Sequence, residues 1–438
     1  MRGVRVTGVR PYRAVLAAGM CLAAPHAVRA QQTPAEPALP YQVELRAARD
    51  ADAGRDVQSA ERHYLAALPL IHGHPDIVYD LARTEARLGD TTSAIARLHS
   101  LAAMGLSYPI DQDTALASLR ARPDFARVSA AMAANRTSVG RGSIVGVVSD
   151  TDALAEDLAY DRAHATFLVS SVHRGAVLAV PTRGASKAWF TLPSAGFGAV
   201  ALAIDTPRAM LWVTMSSMPQ VSGYRPADTG RSTLLAVDLS TRDLKRRYDV
   251  PLDGHAHDLG DMAIDSDGTV VVSDGPSGAI YRVPPGGARL ELLVPPGTFR
   301  SPQTPVVLPR DRVLVPDYAL GLAVLDRTTG AVTWVEHPDT IAVNGIDGAA
   351  LRGHDLYAVQ NGVTPERVVR MHFDDAFTRI TELEVVERAT PRLGDPTHGI
   401  IVGNAYYFIA NSGWDRFRDD GSIAPRGAPP AIVRVPLY

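Results

Sequence analysis

Acidic side chains and one histidine recur at matching places in a repeated sequence pattern. Short apolar segments begin at spacings of 44, 60, 43, 43 and 51 residues. The first two residues of the segments are Glu156-Asp157, Val200-Ala201, Gly260-Asp261, Gln303-Thr304, Ile346-Asp347 and Thr397-His398. Five of the six pairs therefore supply an oxygen or imidazole group, the types that bind cations and move protons.

The types of donor atom limit which metal ions these residues could bind. Carboxylate, amide and hydroxyl oxygens without cysteine favour Ca²⁺ or Mg²⁺ over zinc, whereas His398 leaves a transition metal open. The alternative is that acids at strand starts only accept hydrogen bonds from backbone N–H groups and channel water. We find no GxSxG, HExxH, Walker A or GxGxxG motif in a strand–helix setting, which leaves these pairs as the candidate chemistry.

The elements around the pairs are predicted to be short strands. Gly260–Val283 contains three of them, with DSDG at Asp265–Gly268 as a structural turn and GPSG as a second turn. Units that repeat every 43 to 60 residues are typical of four-stranded propeller blades. We therefore predict a mainly β protein, a six-bladed β-propeller over 143–438. The segment Ser143–Ser149 is expected to close the ring by pairing with the C-terminal strand at Ala431–Val435.

A propeller would bring the six pairs together. The innermost strand of each blade begins at one end of the central channel, so the pairs are expected to share one rim and to bind a small molecule. Two long connections, 217–231 and 411–430, are predicted to lean over this mouth as a partial lid. Their side chains expected to reach a ligand are Tyr224, Arg225, Trp414 and Arg416. The alternative is two mobile surface loops.

Residues 41–134 have helical rather than strand periodicity. Two stretches align at an offset of 34, which places Ala48 on Ala82, Ala60 on Ala94 and Tyr64 on Leu98. This pattern of small residues resembles the tetratricopeptide (TPR) helix pair, followed by a capping segment, and predicts a small all-α TPR-like domain. It is either a protein-binding groove or a packing module. Because the linker 135–142 is polar, we expect the propeller to fold without the helices.

The N-terminus is predicted to be a signal peptide over 1–30. Four arginines precede a short apolar run, and cleavage is expected near Ala30–Gln31, followed by a disordered tether over 31–40. We therefore expect an exported protein, periplasmic or secreted. Met20 stands where lipid attachment at Cys21 would need a small residue, which argues against a lipoprotein. Cys21 is the only cysteine, so the mature chain has no disulfide.

Charge and hydropathy exclude two kinds of partner. Cleavage removes five arginines and no acids, which changes the formal net charge from −3 to −8. A mildly acidic protein without a basic cluster is not expected to bind nucleic acid. No stretch reaches the length of a membrane span.

Three segments resemble blade starts of the gluconolactonase/regucalcin superfamily of six-bladed propellers. They are EDLAYD from Glu156, SPQTPVVLPRDRVLVPDY from Ser301 and NGIDGAALRGHDLYAV from Asn344. The resemblance covers about 143–437. It implies a metal held by Glu156 and Asp347, with Gln303 where the family has an asparagine. It also implies that the metal polarises a lactone carbonyl while Asp261 or His398 serves as the base.

Three functions follow from these expectations. The first is a calcium-type, gluconolactonase-like hydrolase that acts on lactone or ester bonds. The second is a non-catalytic propeller that binds a small molecule or protein, with the helical domain as the partner module. The third is a quinone-dependent sugar dehydrogenase, although no clear basic and aromatic set is present to hold that cofactor.

Overall fold

Runs of β-branched and apolar residues separated by turn residues form the strands of a six-bladed β-propeller. The structure, a computed structural model, describes residues 39–251, 253–418, 420–425 and 427–437. The predicted signal peptide, Cys21, the cleavage site and the tether up to residue 38 lie outside these residues. Among the described helices, none is long and apolar enough to cross a membrane.

The strands within the described ranges form six four-stranded antiparallel sheets, one for each blade. Blade one consists of β2 (Ala155–Asp161), β3 (Thr166–Ser171), β4 (Ala176–Val180) and β5 (Lys187–Thr191). Blade two consists of β6 (Gly198–Asp205), β7 (Met210–Ser216), β8 (Ser232–Asp238) and β9 (Leu244–Asp249). Blade three consists of β10 (Leu259–Ile264), β11 (Val270–Asp274), β12 (Ala279–Val283) and β13 (Glu291–Val294). Blade four consists of β14 (Val306–Leu308), β15 (Arg312–Asp317), β16 (Gly321–Asp326) and β17 (Val332–Trp334). Blade five consists of β18 (Ile346–Arg352), β19 (Asp355–Gln360), β20 (Arg367–Phe373) and β21 (Ile380–Arg388). Blade six consists of β22 (Gly399–Val402), β23 (Ala405–Ala410), β24 (Ala431–Pro436) and β1 (Ser143–Val147).

Strand β1 closes the ring, as predicted. It pairs antiparallel with β24, with Ser143 opposite Arg434 and Val147 opposite Ala431. The sixth blade thus combines the first described strand with the last three, and β1 covers the edge that β24 would otherwise expose. The core lies between neighbouring blades; one apolar cluster, for example, joins Leu168 of blade one to Leu211 of blade two.

The DSDG segment forms a turn between β10 and β11. Asp267 accepts hydrogen bonds from the Thr269 backbone N–H at 2.8 Å and from its hydroxyl at 2.9 Å. Gly268 has a φ of +95°, a conformation that other residues rarely adopt. The turn is therefore held by its own residues, as the sequence indicates.

Five α-helices precede the propeller in the described part of the chain: α1 (Pro40–Ala53), α2 (Val57–Ala67), α3 (Pro75–Leu88), α4 (Thr91–Ala103) and α5 (Pro123–Ala134). The aligned residues are buried in both helix pairs, with Ala48, Ala60, Ala82, Ala94 and Leu98 fully enclosed. Both second helices also start in the same way: Asp56 caps α2 through the Ser59 N–H, and Asp90, 34 residues later, caps α4 through the Ser93 N–H.

The helices pack on the propeller. His72 stacks on Trp334 with ring centroids 4.5 Å apart, and its Nδ1 donates to the Leu320 carbonyl oxygen. The Ser107 N–H donates to the Thr364 carbonyl oxygen at 2.8 Å. The linker is also fixed, because Val139 and Arg388 exchange two backbone hydrogen bonds. The helices and the propeller therefore share an interface despite the polar linker.

Candidate functional site

Bulges at the starts of inner strands aim side chains into the channel. The register shifts between Ala155 and Leu158 in β2, between Leu259 and Asp261 in β10, and between Ile346 and Ala349 in β18. A bulge releases a residue from the regular alternation of a strand and can redirect its side chain. Glu156 and Asp347 lie within such bulges, and Asp261 directly follows the bulged residue Gly260.

Blade six adds His398, immediately before β22. This strand approaches blade five closely: a Cβ on Gly348 would lie only 2.4 Å from the His398 Cα. Glycine at 348 is therefore needed for the two blade starts to meet. His398 is 4% exposed and lies among the acids of three other blades.

One ligand atom each from Glu156, Asp347 and His398 lie within 4.8 Å of one another. The His398 Nδ1 donates to the Glu156 carbonyl oxygen at 3.1 Å, which directs Nε2 toward the acids. Nε2 lies 3.6 Å from Asp347 Oδ1. It also contacts Asp261 Oδ1, without normal hydrogen-bond geometry. This arrangement brings together four of the five residues predicted for metal binding and catalysis.

Gln303, the fifth residue, has its amide nitrogen bound elsewhere: it donates to the carbonyl and hydroxyl oxygens of Ser301, both at 3.1 Å. The next residue, Thr304, donates its hydroxyl to Asp261 Oδ1 at 3.1 Å or to the Asp347 carbonyl oxygen at 3.2 Å. In blade four the neighbouring residue therefore contacts the acids, and Gln303 as a metal ligand stays a prediction.

Neighbouring polar groups hold the acids in place. The Asn361 amide donates to Asp347 Oδ2 at 2.6 Å and to the Pro396 carbonyl oxygen at 2.9 Å. The Tyr318 hydroxyl donates to Asn361 Oδ1 at 3.1 Å. Asn361 was not among the site residues predicted from the sequence. Its signal was its position directly after β19, since the ends of second strands lie beside the starts of inner strands.

Burial shapes the electrostatics of the site. Burial, followed by the Asp347 carboxylate, raises the pKa of Glu156 to about 8. Burial also raises the pKa of Asp347. For His398, burial favours the neutral form, but Asp261 and Asp347 outweigh it and raise the pKa well above its ordinary value. A nearby positive charge therefore stabilises the ionised carboxylates, and the His398 imidazolium supplies part of that charge.

Of the four predicted lid residues, Trp414 contacts the site directly, because its indole N–H donates to Glu156 Oε2. The loop around Trp414 also meets the loop around Val221: Val221 and Phe417 share an apolar cluster. Both loops thus lie on the side of the channel that carries Glu156, as expected.

The other three predicted lid residues have local partners. The Tyr224 hydroxyl hydrogen-bonds to Thr229, and Arg225 pairs with Asp228. Arg416 is buried and binds Asp152 Oδ1 at 2.8 Å and the Thr151 carbonyl oxygen. Arg416 therefore fastens its loop to the segment between β1 and β2, and its contact with a ligand stays a prediction.

The donor set can be tested against a divalent cation. Two carboxylates and one imidazole at these separations match the size of a single-ion site. The Nδ1 bond of His398 to a backbone carbonyl is the support that metal-binding histidines usually have. The residues present therefore fit a divalent cation.

Comparison with known proteins finds similarity of fold. No protein family and no curated protein matches the chain. Among solved structures, the calcium-binding protein regucalcin from Agrobacterium tumefaciens is 17% identical, over 67% of this chain and 96% of that one, with a TM-score of 0.45.

Two further solved structures come from sugar-oxidising proteins. A putative oxidoreductase (glucose dehydrogenase) from Thermus thermophilus is 16% identical, over 67% and 99% of the two chains, with a TM-score of 0.46. The PQQ-bound aldose sugar dehydrogenase from Streptomyces coelicolor is 14% identical, over 68% and 99%, with a TM-score of 0.45. At these identities the likeness concerns the propeller fold alone.

Proposed function

We propose that the channel mouth is a metal-assisted hydrolytic centre that acts on a lactone or ester bond of a small molecule. One observation carries the proposal: Glu156, Asp347 and His398 each bring a ligand atom to within 4.8 Å of the others, at a buried rim where acids from different blades converge. Such a convergence costs electrostatic energy, which a bound cation would offset.

The donor set favours a particular class of cation. Ca²⁺ takes six to eight oxygen ligands, whereas imidazole is a common ligand of Zn²⁺ and other transition metals. With His398 in the set, Mn²⁺ or Zn²⁺ fits better than the Ca²⁺ expected from the sequence. A bound cation would polarise the carbonyl of the scissile bond.

Activation of the attacking water is the role proposed for Asp261. With His398 as a ligand, Asp261 is the acid beside it that can accept a proton from water, and Thr304 orients this carboxylate through its hydroxyl. Trp414 covers Glu156 and would border a bound substrate. Asp261 is therefore the proposed base, and Glu156, Asp347 and His398 are the proposed ligands.

A second candidate is a non-catalytic, ligand-binding propeller. It is favoured by the contact of the His398 ring with Asp261, because a protonated imidazole already neutralises part of the acidic charge without a metal. A quinone cofactor has less support, since its own carboxylates would face Glu156, Asp261 and Asp347. Export, and a protein partner for the helices, are further proposals that rest on the sequence.

The test is metal titration of the purified protein combined with a panel of lactones and aryl esters. We expect Mn²⁺ or Zn²⁺ to bind with a stoichiometry of one and to raise the melting temperature, and the loaded protein to hydrolyse members of the panel. Binding without hydrolysis would favour the ligand-binding propeller. Absence of binding by Ca²⁺, Mn²⁺ and Zn²⁺ would overturn the metal centre.

A further inference from the structure

The loop 361–366, which joins β19 to β20, lies between the helices and the candidate site. On its helical side, Thr364 accepts a hydrogen bond from the Ser107 N–H at 2.8 Å. Val363, on the same loop, packs in one apolar cluster with Leu106 of the helical region. On its channel side, Asn361 donates to Asp347 Oδ2 at 2.6 Å. One short loop thus contacts both parts of the molecule.

A buried arginine fastens the far end of this loop. The side chain of Arg367, the first residue of β20, is fully enclosed. Its Nη1 donates to the Met104 carbonyl oxygen at 2.7 Å, and its Nε donates to Gln360 Oε1 at 2.7 Å. Gln360 ends β19 and precedes Asn361. Arg367 therefore connects the helices to both ends of the loop.

Among the described residues, no carboxylate is a hydrogen-bond partner of the Arg367 guanidinium. Its surroundings explain how this buried charge is tolerated. Met104 is the C-terminal cap of α4, where carbonyl groups and the helix dipole favour a positive charge. Burial nevertheless lowers the pKa of Arg367 to about 9. Its Nη2 has no hydrogen-bond partner among the described residues. Replacing buried charged groups by apolar side chains of similar volume is often neutral or stabilising, so the packing of Arg367 alone does not account for its burial.

We infer that the helical region is a clamp on the candidate site, and that Arg367 is a positioning residue that holds the loop 361–366 so that Asn361 orients Asp347. This inference rests on the proposed metal centre. It assigns the helices a packing role within the chain, one of the two roles that the sequence left open for them. Metal affinity should therefore depend on a contact made through the helices.

The test compares variants of the full chain by Mn²⁺ titration and by hydrogen exchange of peptides that contain residues 361–366. Arg367→Met removes both hydrogen bonds of the clamp. We expect the Kd for Mn²⁺ to rise about fivefold or more and exchange in the loop to accelerate. Arg367→Lys, which keeps the charge at the end of α4 but cannot reproduce both bonds, is expected to fall between Arg367→Met and the native protein.

Ser100→Ala is the matched control. The Ser100 hydroxyl donates to the Asp339 carbonyl oxygen at 2.7 Å, so this substitution also removes a bond between helix and propeller, but one outside the loop. Its Kd should stay within about twofold of the native value. A purely structural role for Arg367 would lower the melting temperature and leave both the Kd and the loop exchange unchanged.

Gly105→Ala is a second route to the clamp if Arg367→Met does not fold. A Cβ at Gly105 would lie 2.9 Å from Arg367 Nη1, and its φ is +77°. Native affinity and native loop exchange in a folded variant of either kind would overturn the inference. If the native protein binds Zn²⁺ or Ca²⁺ but no Mn²⁺, the Kd comparison is made with the metal that binds. If it binds none of the three, the proposed function fails, and the exchange measurement alone decides whether the clamp exists.

Discussion

Adjacent acids of the same blade have different roles in this molecule. Asp157 accepts hydrogen bonds from the backbone N–H groups of Leu158 and Leu202, both at 2.7 Å, and so joins blade one to blade two. Glu156 instead meets the Trp414 indole and approaches His398. The alternative weighed from the sequence, that acids at strand starts satisfy backbone groups, therefore describes Asp157 and not Glu156. Residue type alone could not separate them, because the partners come from distant blades.

Replacing Asp347 is the most direct test at the scale of single residues. In the native protein, a cation at a hundredfold excess over its Kd should stabilise the fold by about 2.7 kcal/mol. Asp347→Asn removes one charged ligand, so we expect the metal-dependent rise in melting temperature to disappear. Asp267→Asn, an equal change of charge in the exposed DSDG turn, should keep it. An equal metal response in the two variants would contradict the assignment of Asp347.

The buried acids predict a pH dependence. Glu156 has a pKa of about 8, above its ordinary value of 4.5, so the metal-free folded protein retains a proton that the unfolded chain loses. Stability of the metal-free protein should therefore fall as pH rises from about 4.5 to about 8.

Metal binding should show the opposite trend, because the cation displaces this proton. Between pH 6 and pH 8 we expect the apparent Kd to fall by about tenfold per pH unit for each proton released, one from Glu156 and one from the His398 imidazolium. Calorimetry in buffers of different ionisation enthalpy counts the protons. A Kd independent of pH over this range would show that neither Glu156 nor His398 is a ligand.

At the scale of elements, the repeat pattern was sufficient to predict six blades and the closing strand. It was not sufficient for the register at each blade start. In blades one and five the predicted acid lies within a bulge, and in blade three it directly follows one, whereas β14 of blade four has regular pairing and begins after Thr304. Gln303 was predicted as a ligand because it stands where the resembling family has an asparagine. Bulges depend on contacts between strands, which a single sequence does not display.

The closing strand can be tested within the intact chain. Val145 of β1 packs against the apolar cluster between blades six and one, whereas Val147 is 41% exposed. Val145→Asp places a charge against this cluster, so we expect a loss of about 1 to 3 kcal/mol in unfolding free energy. Val147→Asp is the matched control and should change it by less than about 0.5 kcal/mol. Equal effects in a denaturant titration would mean that β1 contributes little to closure.

At the scale of the whole molecule, the structure shows contacts that the polar linker did not indicate. A linker with a single apolar residue can still be fixed by its backbone: Val139 pairs with Arg388, and the Gly142 N–H donates to Glu387 Oε2 at 3.2 Å. The apolar contacts are made instead by the helices, which cover Leu320 and Val363. The helix pairs themselves were predictable from their repeat. The surface that they cover was not, because it is assembled from two different blades.

We therefore expect a propeller without its helices to be impaired. A fragment of residues 143–438 would expose the apolar side chains of Leu320 and Val363 and leave Arg367 without its bond to Met104. Uncovering such side chains costs about 1.5 to 3 kcal/mol each when they are large, so its melting temperature should be lower by about 5 °C or more. The matched control is a fragment of residues 39–438, which retains the helices. If both fragments melt cooperatively at the same temperature in calorimetry and bind Mn²⁺ with the same affinity, the propeller folds independently of the helices, as expected from the linker. A soluble 143–438 fragment with weakened Mn²⁺ affinity would instead show that the helices act mainly on the site, which is the outcome that the clamp requires.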